Sequence, residues 1–245
     1  MKIFDAVIEK TVSLLAGLQP KRFSYNPEGS AVEGSKNELV MRRDAAYELG
    51  AGSLASINYT VYTTGKDLVP ADEILLYGKD LCEIGADCNF ARIAMLRTDD
   101  IELHGEQASY EIIKSIEIKK YDVSPKGYML RASALSNREQ VRVSEGAVKS
   151  GITFEQIGNL FIKKYHENSH VQAVRIIFIS LDDGPYGELE KLASTSVNIS
   201  RALNHLISDL KMDCHSCEWK PVCDEVEGMK EIHQKMTEQT NGGIL

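Results

Sequence analysis

Basic residues are outnumbered in this 245-residue chain, where 28 Lys and Arg stand against 36 Asp and Glu for a formal charge of −8. A nucleic-acid backbone is held by clustered cations, and the cations here are dispersed among acids, so nucleic acid is excluded as a partner. No stretch approaches the roughly 18 uncharged apolar residues of a membrane-spanning helix. Residues 1–18 would otherwise resemble a secretory signal, but Asp5, Glu9 and Lys10 interrupt their apolar run. The expectation is a cytoplasmic protein without a membrane partner. In that reducing setting Cys82 and Cys88 read as ordinary core or strand residues, and the sequons at Asn58 and Asn198 carry no meaning.

Several common catalytic motifs are missing as well. There is no Walker A loop, no G-x-S-x-G elbow and no H-E-x-x-H. Gly50-Ala51-Gly52 lacks the third glycine of a dinucleotide fingerprint and leads into strand-like sequence where a helix should begin. Asp182-Asp183-Gly184 has neither the alternating oxygen ligands nor the terminal Glu of a calcium loop. The pairs Asp99-Asp100 and Asp182-Asp183 read as solvated turns, and His104, His166, His170 and His205 are scattered singly. Repeats and low-complexity tracts are absent.

What is present is a concentration of sulfur. Three of the five cysteines fall in one short polar segment, as Cys214, Cys217 and Cys223, and His233 follows in the spacing C-x2-C-x5-C-x9-H. A C-x2-C turn lets two thiolates converge on one ion, and a third can close a face. Soft sulfur selects zinc or iron–sulfur over magnesium or calcium. Three thiolates and an imidazole satisfy either a tetrahedral structural zinc or a four-iron cluster with one non-cysteine ligand. Asp213, His215 and Asp224 are rivals to His233 as the fourth ligand.

Ahead of that segment, Ile3, Phe4, Val7, Ile8, Leu14, Leu15 and Leu18 recur at near-helical spacing, and residues 26–37 have the Gly, Ser, Asn and Pro content of a linker. Strand character marks Ser53–Thr63, Glu73–Tyr77, Phe90–Arg97, Tyr128–Ala134, Glu139–Val143 and Val171–Ser180. Helices are expected over about 106–120, after the Thr153/Gln156 capping box, from about Gly187 to Met212, and again after Cys223. Strands and helices intersperse without strict β-α alternation. The fold class is therefore α+β, a mixed sheet covered by helices with a C-terminal helical Cys-rich segment. The expected division is an N-terminal helix and linker (1–36), an α+β domain (37–212) and a metal-binding tail (213–245).

From about Glu139 to Leu192, Arg142-Val143-Ser144 is followed by Ala147-Val148, Gly151, a helix and a strand of the form V-x-x-V-x-I. This order resembles the middle domain of acetyl-CoA synthase, the β subunit of the CO dehydrogenase/acetyl-CoA synthase complex. In that family a long helix then leads to a cluster of cysteines holding the cubane of a nickel–iron–sulfur centre, and here Cys214, Cys217 and Cys223 occupy the same place in the order. Upstream of Arg138 the likeness is weaker. The resemblance implies a [4Fe–4S] cluster, coenzyme A bound with Arg138 and Arg142, and a CO dehydrogenase or corrinoid protein as partner. Any catalysis would be acyl transfer of the CO-methylating acetyl-CoA synthase type.

The departures from the family are specific. The gap between the second and third cysteines is shorter, and His233 stands for the fourth cysteine. The Cys-Gly-Cys that chelates the distal nickel is absent from this sequence, so nickel is not expected in this chain alone. Gln140 lies near where the family has a coenzyme-A-binding Trp, whereas the only Trp here is Trp219 within the cysteine segment. Arg131, Arg138 and Arg175 could clamp phosphates bidentately, or could be solvated surface arginines. The alternative to a one-carbon metalloprotein is a non-catalytic assembly or regulatory module whose cysteines form a structural zinc knot.

Overall fold

The computed structural model describes residues 2–35, 38–101, 106–132 and 137–208, with 218, 221, 222 and 226, and gives the backbone alone at 106–108, 132 and 204–208. Cys214, Cys217, Cys223 and His233, like the rest of the expected metal-binding tail's ligand set, lie outside the described residues.

Among the described residues eight strands form two sheets, and the α+β expectation holds. Strands β1 (Lys21–Ser24), β3 (Ser56–Thr63), β4 (Glu73–Gly78), β5 (Phe90–Thr98) and β8 (Val171–Ser180) make a five-stranded sheet in the order β1-β4-β8-β5-β3. It is mixed: β4/β8 and β3/β5 run parallel, while β1/β4 and β5/β8 run antiparallel. Strands β2 (Ala45–Leu49), β6 (Tyr128–Ala132) and β7 (Glu139–Ser144) make a smaller antiparallel sheet in the order β2-β7-β6.

Helices cover the large sheet on both faces, which is why β3 is buried along its whole length and shows no clean alternation. Helix α1 (Asp5–Leu15) presents Val7, Ile8, Thr11 and Leu15, and the Thr11 hydroxyl meets that of Tyr59 on β3 at 2.8 Å. The N-terminal helix thus packs into the same core as the strands. Helix α5 (Tyr186–Ser208) lies against β3 and α1, its Ser196 hydroxyl donating to the Thr60 carbonyl. On the opposite face, the Thr153/Gln156 capping box makes both of its reciprocal bonds and starts α4 (Phe154–Tyr165). Phe154 stacks on Phe178 of β8 with ring centroids 4.6 Å apart.

The outer edge of β3 is not left open. The amide of Asn58 donates to the Asn137 carbonyl, and the Ser56 hydroxyl bonds the backbone of Glu139, so the start of β7 covers it. The turn from β2 to β3 needs Gly50 (φ +66°) and Gly52 (φ +61°), both left-handed. That pair, read in the sequence as a failed dinucleotide fingerprint, is turn chemistry. Helix α2 (Glu106–Glu117) runs into a 3₁₀ turn over Ile118–Asp122 that leads toward β6, and the five-residue α3 (Glu145–Lys149) follows β7. Among the described residues no helix is long and apolar enough to cross a membrane.

Candidate functional site

The small sheet has two unlike faces. Val141, Val143 and Glu139 of β7 turn inward, and Gln140 and Arg142 turn outward, the period of two dictated by the pleat. Register sets Met129 of β6 opposite Arg142 and Arg131 opposite Gln140, while Glu48 of β2 is the neighbour of Arg142 on the other side. The outward face therefore carries Arg131 and Arg142, and Arg138 immediately precedes β7.

These arginines are not equally free. Arg142 Nε donates to Glu48 Oε1 at 2.6 Å and Nη1 to the Val40 carbonyl at 3.4 Å. Arg42 reaches the same Glu48 oxygen at 2.8 Å. Burial would raise the Glu48 pKa, but the bonds from Arg142 and Arg42 outweigh it and hold that carboxyl below its ordinary value. Arg138 is exposed and gives one bond, Nη2 to the Gly52 carbonyl at 3.0 Å. Arg131 is exposed at the edge of the sheet. Arg175, grouped with Arg131 and Arg138 as a phosphate clamp in the sequence, sits on β8 of the other sheet, its Nε bound to Glu73 at 2.6 Å. So the structure brings Arg131, Arg138 and Arg142 to one sheet and sets Arg175 apart.

Beside β6 lies a cavity of about 230 Å³, with Arg131, Met129, Val40, Glu38, Tyr121 and Lys120 in its lining. Sequence reading missed it, because the segments that make it (around 35–40, 120–125 and 127–131) are far apart in the chain. Burial depresses the Lys120 amine below its ordinary pKa, with Arg92 adding to that effect and Glu117 opposing it.

The remaining predicted groups are placed as follows. His166 and His170 are tied to Asp72 and Asp99, each at 2.9 Å. The Asp182 carboxylate pairs with Lys79 on the surface. Cys82 is exposed in a 3₁₀ turn, not in core or strand, and Cys88 is half-buried with its thiol pushed up to about 11, chiefly by burial. Among the described residues no group of three or more His, Cys, Asp or Glu side chains could hold a metal ion. No protein-family model and no curated protein matches this chain.

Proposed function

We propose that this chain is an acetyl-CoA-synthase-like metalloprotein of CO dehydrogenase/acetyl-CoA one-carbon metabolism, working in the cytoplasm. The observation that carries the reading is the Cys214, Cys217, Cys223 spacing, met after the long helix expected from about Gly187 to Met212 and downstream of the motif order Arg142-Val143-Ser144 to Val171–Ser180. In this reading Cys214, Cys217, Cys223 and His233 hold a [4Fe–4S] cluster, which supplies a redox-active or Lewis-acidic iron centre when bound. The nickel half of the family's centre is left to another polypeptide, since Cys-Gly-Cys is absent here.

Coenzyme A would meet the outward face of the small sheet. Exposed Arg138 has donors to spare for a phosphate, and Arg142, already bound to Glu48, would serve mainly by holding positive charge on that face. CO dehydrogenase or a corrinoid protein is the partner the resemblance implies. A second reading rests on the absent nickel chelate and the closed three-cysteine, one-histidine set: a non-catalytic assembly or regulatory module with structural zinc.

Protein prepared without oxygen separates the two. Four irons per chain, matching sulfide and a broad absorbance at about 400 nm support the iron–sulfur reading. One zinc in colourless protein supports the second, and protein that takes up neither metal overturns both. Titration of coenzyme A by calorimetry against Arg138→Met tests the ligand separately from the metal.

A further inference from the structure

We propose that the cavity beside β6 is a binding site for a short-chain organic carboxylate, with Lys120 as its counter-ion. This does not rest on the metal or on coenzyme A.

Space comes first. At about 230 Å³ the cavity has room for a small metabolite. The second ground is the state of Lys120. Its neighbour Lys119 is paired with Glu167 at 2.8 Å, but Lys120 makes no ion pair among the described residues and lies over the ring of Tyr121 at 5.2 Å. The charged groups that act on it are Glu117, one turn earlier, and Arg92 with Glu139, which pair with each other. Glu117 is itself desolvated, its pKa raised by burial. A half-buried ammonium with no ion pair has lost hydration that Glu117 and Glu139 offset only in part, and an incoming carboxylate would restore what it lacks.

A third ground is the rest of the lining. Val40 and Met129 offer apolar wall for a short hydrocarbon tail, and Arg131 adds a second cation. Glu38 on the same lining opposes a second negative charge, which favours a monoanion over a phosphate dianion.

The test is a titration of the full chain with acetate, pyruvate and butyrate, and with inorganic phosphate, followed by NMR and by amine-acylation footprinting of Lys120 with Lys119 as internal reference. One of the carboxylates is expected to saturate and to protect Lys120 while Lys119 reacts as before. Lys120→Met should weaken binding about tenfold or more, the loss of one charge-assisted bond, and Lys120→Arg should retain it. If Lys120→Met does not fold, the footprint on the parent chain decides. No saturable binding, unchanged affinity in a folded Lys120→Met, or phosphate binding tighter than every carboxylate would each overturn the proposal.

Discussion

Arg92 on β5 and Glu139 on β7 meet across the seam between the two sheets with neither side chain exposed to solvent, Nε donating to Oε1 at 2.7 Å and Nη2 to Oε2. Arg92 also lies 4.3 Å from the centre of the Phe161 ring. Burial works against its charge, yet the adjacent carboxylate more than reverses this and raises the Arg92 pKa above its ordinary value. Taking one partner away leaves the other as an uncompensated buried charge. Arg92→Met is expected to cost about 3–5 kcal/mol in urea unfolding. Combining it with Glu139→Leu should recover most of that loss; a double variant as unstable as the single one would mean that packing, not charge, holds the seam.

A pH dependence follows from His166, the residue that ends α4. Its Nε2 lies 2.9 and 3.0 Å from the two Asp72 oxygens, and Asp72 also accepts from the amide of Val174. The hydrogen bond with Asp72 raises the His166 pKa, against a smaller opposing effect of burial. Because the folded value is above the unfolded value of about 6.5, the stabilisation is fully present below that pH. It is lost as pH rises through the folded pKa. Asp72→Asn should flatten this slope, as read from unfolding midpoints across the range, and should lower the His166 titration midpoint followed by NMR.

Gly158 lets α4 pack close against the large sheet. A Cβ placed there would stand 2.7 Å from Ile74 Cγ1 and 2.9 Å from its Cγ2. These are branch atoms of a wholly buried side chain that cannot swing away freely. Gly158→Ala should therefore destabilise by about 1–3 kcal/mol despite its gain in helix propensity. Adding Ile74→Val removes the Cδ1 atom, which would stand 2.8 Å from that Cβ, and should relieve part of the clash, a coupling that a double-mutant cycle would reveal.

For the sulfur-rich segment, Cys217→Ser is expected to lower metal content and make the last thirty-odd residues more sensitive to protease, since ligand binding and local folding are linked. Cys82→Ser and Cys88→Ser should leave metal content unchanged. A Cys217→Ser protein with its full metal complement and a resistant tail would show that the ligand set is wrong.

The long elements were legible in the sequence because their patterns are strong. β8 is a buried apolar run, α4 has a capping box and an apolar stripe, and β3 is dense in β-branched and aromatic residues. What escaped were short pieces with no period to read. β1 is the edge strand Lys-Arg-Phe-Ser with only Phe23 partly buried, β2 places a charged Glu48 in a buried position, and α3 has five residues. The inward/outward split of the small sheet was hidden for the same reason, since two of its three strands were recognised without their partner. Neither the Arg92–Glu139 pair nor the cavity at Lys120 leaves a local pattern, because both depend on residues brought together by tertiary packing.

The position of β8 has a consequence for how the chain is made. It lies between β4 and β5, parallel to one and antiparallel to the other, although about a hundred residues separate it from the former. During synthesis, then, both earlier strands emerge with an unfilled gap between them, and the sheet cannot close until Val171–Ser180 has left the ribosome. Such distant pairing is slow, so the nascent chain carries unpaired apolar strand edges until β8 has emerged.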